Sequence, residues 1–231
     1  MKHLAVRGWR LFHPMLAGAS LRDRATASVG ALVGIALVAL ACAALSPGHA
    51  LLIGPIGASA VLLFAVPASP LAQPWPILGG NVISTLVGVA AAHAIPDASI
   101  AAGVAVGAAI LVMSLLRCLH PPGGAAALTA VIGGPAIHAA GFEFAFLPVG
   151  AITLALLVTG WLFHRVSGHS YPHRPMLNPA ATPAPYLTGL HRGDIDLALA
   201  DMGETFDVDP DDLDLLLQRA EHHAAQRVKA G

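Results

Sequence analysis

Ser114-Leu-Leu-Arg-Cys-Leu-His-Pro-Pro-Gly-Gly-Ala-Ala-Ala-Leu-Thr-Ala-Val-Ile-Gly-Gly134 sets an arginine, a histidine, two prolines and two glycines between two strongly apolar runs. Proline lacks the backbone donor, and the residue before it avoids the helical region. A helix ending near Leu119 is therefore expected to break at His120 and to restart after Pro122. A helix restarting near Gly123 would leave its first N–H groups without internal partners, and glycine would let a solute approach them. Such a break is an anion-accepting geometry at or inside a membrane boundary.

Only 11% of the residues are charged and 56% are hydrophobic, with a mean hydropathy of +0.71. A soluble core of this size needs no such excess, so the chain reads as an integral membrane protein whose first partner is the lipid bilayer. A net charge of −1 gives no reason to expect a nucleic-acid partner. Cys42 and Cys118 lie in or near the end of apolar runs without a CxxC pair, which argues against a disulfide or zinc site. No Ser-His-Asp order, nucleotide loop or paired intramembrane carboxylates appear, so neither an enzyme nor a cofactor is expected. The absence of acidic residues between Thr26 and Ile95 also argues against a proton-coupled cation carrier.

Four regions follow along the chain. Residues 1–25 read as a basic amphipathic lead-in, with Trp9 and Phe12 at headgroup level and Lys2, Arg7, Arg10, Arg22 and Arg24 facing phosphate or water. A cleaved signal peptide would carry its apolar stretch earlier, so this segment is expected to stay in the mature protein. Residues 26–165 form the transmembrane region. Thr26–Leu45 is long enough for one span at about 1.5 Å per residue. Ser46-Pro-Gly-His49 reads as a turn, and a short second span begins near Pro55 because proline suits a first helical turn. Pro67–Pro76 is a rigid connection. Ile77–Ile95 and Ser99–Leu119 are the third and fourth spans, Gly123–Gly134 is a short segment, and Phe144–Phe163 is the last span. Residues 166–193 are a Pro/His-rich linker, and 194–231 a soluble helical tail. In that tail Asp209-Pro210 supplies an N-cap and a first-turn proline, while Leu213, Leu216, Leu217, Ala220 and Ala224 form one apolar face. That face asks for a partner, which a second copy of the chain would supply.

Pro55-Ile-Gly57-Ala-Ser-Ala60-Val-Leu62 and Pro121-Pro-Gly123-Gly-Ala-Ala126-Ala-Leu128 share the spacing P-x-G-x-x-A-x-L. Each opens the middle helix of a three-helix unit, and an odd number of crossings per unit makes the repeat inverted, a common transporter plan. The same small residues would equally permit close helix packing. The expected fold class is all-α polytopic, with about six transmembrane segments as a 3+3 inverted repeat and broken middle helices. Six crossings put Arg117 and Arg165 on the cytoplasmic side with both termini, and Asp97 and Glu143 outside. Four crossings with two re-entrant loops would instead put Arg117 outside.

Arg117 with His120-Pro-Pro-Gly-Gly-Ala-Ala-Ala-Leu128, together with Gly54–Phe64 and Ser69–Pro74, resembles the signature of the HPP family of integral membrane proteins over roughly residues 10 to 165. The resemblance implies a transporter in a bacterial inner membrane, and it suggests nitrite, the substrate assigned to some plant and cyanobacterial relatives. The tail resembles the segment leading into the CBS nucleotide-binding domains of longer members. The sequence runs to Gly231 without such domains, so adenine-nucleotide regulation is not carried over.

A small inorganic anion is thus the expected substrate. Its candidate site comprises Arg117, His120, Pro121, Pro122, Gly123, Gly124 and Ala125, with Pro55, Gly57, Ser59 and Asn81 from the mirrored turn and the third span. Arg117 and His120, three apart, are expected on one helix face beside the new helix start. The competing readings are that Arg117 is a topology anchor reaching the interface, and that the protein is a membrane-embedded assembly or regulatory module without transport. Ser84, Thr85, Ser114 and Thr129 are further pathway candidates, each equally able to bond its own helix. The tail histidines show no metal-ligand spacing.

Overall fold

The computed structural model describes residues 21–45, 54–174, 191–202 and 207–230. The lead-in up to residue 20, the turn expected at Ser46–His49 and most of the Pro/His-rich linker lie outside the described residues. The described residues form helices and turns and contain no strand. The helices are α1 (Leu21–Leu45), α2 (Gly54–Ala65), α3 (Pro74–Ala94), α4 (Ala98–Leu115), α5 (Pro121–Ile132), α6 (Pro135–Ala140), α7 (Ala151–Ser167, entered through a wide turn at Ala145–Gly150), α8 (Arg192–Met202) and α9 (Pro210–Ala230).

Four stretches are long and apolar enough to cross a membrane: Leu21–Ala44, Pro74–Ala94, Ala98–Leu115 and Ala145–Ser167. By contrast α2 and α5 have 12 residues each, about 18 Å of helix against a hydrocarbon core of about 30 Å. The sequence expectation for α1 is corrected at its start, because the helix already includes Leu21, Arg22 and Arg24. The fourth span ends at Leu115 rather than Leu119.

Glycines set how closely the helices approach. A β-carbon on Gly88 of α3 would lie 2.4 Å from the Ala127 carbonyl oxygen of α5, and one on Gly80 would lie 2.4 Å from the His120 β-carbon. Only a residue without a side chain fits there, so α3 is the helix that α4 and α5 pack upon. On α4 the buried residues Ala101, Ala105, Ala109 and Met113 make a stripe at four-residue spacing. Its other face exposes Val104, Ile110, Leu111 and Leu115, as a helix facing lipid would.

The contacts also fix run directions. Gly30 and Gly34 of α1 lie against Phe64 of α2, and Gly30 also meets Phe163 of α7 while Gly34 meets Thr159. So α1 is antiparallel to α7. Trp75 and Leu78 of α3 share a groove with Leu154, Leu157, Val158 and Trp161, and Gly150 meets Val82, so α3 is antiparallel to α7 as well. Therefore α1 and α3 run the same way. The Trp75 indole N–H donates to the Leu116 carbonyl at 3.1 Å, which makes α4 antiparallel to α3, while the Gly80–His120 and Gly88–Ala127 contacts make α5 parallel to it. Arg24, Arg117 and Arg165 consequently share one end of the bundle, the arginine side, with Asp97 and Glu143 at the other.

Candidate functional site

The break in the quoted stretch is a helix C-cap followed by a helix N-cap. At the end of α4 the Arg117 N–H donates to the Ser114 carbonyl at 3.2 Å and the Cys118 N–H to the Met113 carbonyl at 2.9 Å. This pair of bonds closes a helix with a left-handed residue in the position where glycine is favoured. Here that residue is Arg117, at φ 53°. Its side chain is exposed and makes no ion pair among the described residues. Two expectations are corrected by this turn. Arg117 and His120 do not share a helix face, since one follows α4 in a left-handed conformation and the other is the extended N-cap of α5 at φ −142°. The helix also restarts at Pro121 rather than after Pro122, because prolines suit positions that need no donor.

His120 is the centre of the site. It is completely buried, as are Ser59 of α2 and Asn81 of α3. Its Nδ1 lies 2.9 Å from the Leu71 carbonyl oxygen. A carbonyl only accepts, so Nδ1 carries the proton and donates. Nε2 is then the acceptor of the neutral ring, and the Ser59 hydroxyl donates to it at 2.8 Å. The Ser59 oxygen in turn accepts from the Asn81 amide Nδ2 at 3.0 Å. Asn81, Ser59, His120 and Leu71 thus form one directed chain of hydrogen bonds between α3, α2, α5 and the 66–73 turn. Asn81 Oδ1 and Ser84 Oγ, both buried, have no hydrogen-bond partner among the described residues. An unpaired polar atom in such a place costs on the order of 1–3 kcal/mol; Asn81 Oδ1 can only accept a hydrogen bond, whereas the Ser84 hydroxyl can also donate one.

The other candidates divide by location. Pro55 and Pro122 are buried in the starts of the two short helices. Gly123 is also buried. Its N–H donates to the His120 carbonyl at 2.8 Å, and an added β-carbon would lie 2.7 Å from Ser84 Oγ and 2.8 Å from the Gly80 carbonyl. Gly123 therefore serves helix packing, which corrects its expected role as an open door to the backbone. Pro121, Ala125 and Gly57 are exposed and Gly124 is half-buried; none of them takes part in the chain of bonds. Thr85, Ser114 and Thr129 bond to carbonyls of their own helices. The Leu71 carbonyl is the partner that sequence reasoning missed, because a backbone acceptor 49 residues away leaves no residue-type signal.

A family model described as "HPP, transmembrane region" matches residues 17–172, more than half of the chain. The chain belongs to the HPP transmembrane family. Two curated transmembrane proteins of Dictyostelium discoideum are similar to it. One is 39% identical over 126 residues, 52% of this chain and 44% of the relative; the other is 39% identical over 112 residues, 47% of this chain and 36% of the relative. The chain thus spans less than half the length of either. No solved structure matches. The HPP tripeptide of this member is the N-cap of α5 with its first two helical residues, and its histidine is the buried centre of the site.

Proposed function

We propose that this HPP-family protein is a transporter or channel for a small inorganic anion, with nitrite the first candidate by family resemblance. The guest would be bound at the Asn81–Ser59–His120 chain where α2 and α5 meet. The observation that carries the reading is this buried polar chain, assembled from two short helices and a glycine-rich long one. A purely structural core would close the same space with apolar side chains at no such desolvation cost.

The run directions support six passes. If α1 and α3 run alike, α2 must return the chain between them. Likewise α5 must carry it back between α4 and α7. The middle helices α2 and α5 then run oppositely, as an inverted repeat requires. With Arg22, Arg24, Arg117 and Arg165 on one side and Asp97 and Glu143 on the other, the arginine side is cytoplasmic by the positive-inside tendency. Arg117 then stands at the cytoplasmic mouth and raises the local anion concentration, while the donors the chain leaves over, the second Asn81 amide hydrogen and the Ser84 hydroxyl, make the contact inside. The tail helix α9 half-buries Leu213 and Leu217 and leaves Leu216 exposed at 62%, which leaves self-association of the chain to Leu216 and its neighbours.

Proteoliposome flux tests the reading with nitrite, nitrate, chloride and formate. Flux above empty liposomes, lowered by Ser59→Ala and by Asn81→Leu in folded protein, is the expected result. No flux of any of the four from monodisperse protein would favour an assembly module instead.

A further inference from the structure

The turn that supplies the Leu71 carbonyl is held from outside by the C-terminal tail. Ser69 opens this turn, its hydroxyl oxygen accepting from the Leu71 N–H at 3.1 Å. The same hydroxyl donates to the two carboxylate oxygens of Asp207 at 2.9 and 3.0 Å. The Gln73 amide Nε2 ties the turn together by donating to the Pro67 and Ser69 carbonyls, both at 2.9 Å. Its oxygen accepts from the His173 backbone N–H at 2.9 Å. The buried Tyr171 hydroxyl donates to the Ala72 carbonyl at 2.9 Å. Finally the His173 ring meets the Asp212 carboxylate at 2.9 Å, joining this grip to the start of α9.

We propose that the C-terminal tail is a strap that holds the 66–73 turn closed over His120, and that releasing it lifts the turn and uncovers the Nδ1 edge of the ring. Tyr171, His173 and Asp207 are 99 to 138 residues distant in sequence from the turn residues they bond, and Asp212 joins the grip only through the His173 ring. The part-buried Ser69–Asp207 and His173–Asp212 contacts can exchange with solvent, whereas Tyr171 is buried among core residues. The turn itself contains Pro67 and Pro70 and runs into Pro74, so it is stiff and moves as a unit. Its link to the site is one carbonyl on one imidazole N–H. A contact that loosens the tail therefore reaches His120 through the Leu71 carbonyl, the turn staying bonded to α2 by the Val66 N–H on the Leu62 carbonyl and to α3 by the Ile77 N–H on the Gln73 carbonyl. The proposal rests on the reading above only in taking the His120 chain as the site; closure of the turn does not require that an anion be carried.

Hydrogen–deuterium exchange on the full chain in lipid nanodiscs tests it. In the unaltered protein the amides of 66–73 should be protected. His173→Ala with Asp207→Ala, which removes the Ser69 carboxylate partner and the ring's hold on Asp212 while the backbone N–H of residue 173 still reaches Gln73, should speed their exchange about tenfold or more. Amides of α5 should exchange as before, since the bundle is untouched. His173→Gln in place of His173→Ala, which keeps a side-chain donor for Asp212, should restore part of the protection. Equal exchange of 66–73 in the double variant and the parent would overturn the strap, as would a parallel rise in α5. If the double variant does not fold, Asp212→Asn carries the test, with a smaller rise confined to 66–73 expected and none overturning the proposal. Nitrite flux measured on the same preparations is read separately. Faster exchange without flux in any variant supports the strap and counts against the anion reading, whereas normal flux with unchanged exchange does the reverse.

Discussion

An arginine in the left-handed region is held there at a cost of about 1–2 kcal/mol relative to glycine, and Arg117 is the only non-glycine residue at positive φ among the described residues. A surface anchor could sit one residue either way in a helix at no such cost, so the position argues that the charge is wanted at this place. Arg117→Gly should therefore raise the unfolding temperature in detergent, or leave it unchanged, while lowering anion flux. Equal flux in that variant would make the arginine a topology anchor. The same scale separates two glycines that look alike in the sequence. Gly88→Ala must push against backbone of α5 and should destabilise by about 1–3 kcal/mol, as overpacking does. Gly124→Ala, whose nearest neighbour would be 3.9 Å away, should be neutral or slightly stabilising, and thermal unfolding of the two variants checks the contrast.

At the scale of elements, the two short helices were legible from Gly54-Pro55 and His120-Pro-Pro, since proline chemistry ends one helix and begins the next regardless of tertiary context. The end of α4 was not. A left-handed arginine gives no warning in the sequence, which reads as helix for four residues beyond Leu115 and puts Arg117 and His120 on a common face. Ser59, Asn81 and His120 were each visible as polar residues among apolar ones, but their meeting depends on three helices crossing and has no local signal. The strap shows the same limit, with one feature that makes a pH prediction. Burial pushes the Tyr171 hydroxyl's pKa upward, so the folded value lies above the unfolded value of about 10. Its contribution to docking is then fully present below pH of about 10 and is lost as the pH rises from there toward the folded value. Exchange protection of 66–73 should accordingly fall above that pH in the parent. Tyr171→Phe should be less protected at neutral pH by the equivalent of about 1 kcal/mol and should lack this further fall.

For the whole molecule, the decisive question is which side each connection faces, because the same four long helices admit four passes or six. Under four passes α1 and α3, adjacent as long helices in the chain, would run oppositely. Their shared antiparallel packing on α7 has them run alike. The interface residues agree: Trp75 and Trp161 are exposed on the arginine side, and the Arg165 guanidinium lies 4.2 Å from the Trp161 ring centroid. Aromatic rings with arginines at one boundary are what a headgroup layer selects. Single cysteines at Ala68, Asp97 and Glu143, all exposed, placed in a Cys42→Ser and Cys118→Ser background, turn this into a measurement. In intact cells an impermeant thiol reagent should label Asp97→Cys and Glu143→Cys and should reach Ala68→Cys only after the membrane is opened. Ala68 rather than Ser69 is the reporter, because Ser69 is covered by Asp207 and would report the strap instead of the side. Labelling of Ala68→Cys from outside with Asp97→Cys protected would invert the molecule, put Arg117 at the outer mouth and make any anion it gathers an extracellular one. Labelling of all three from outside would break the six-pass arrangement itself, and with it the opposed α2 and α5 on which the proposed site depends.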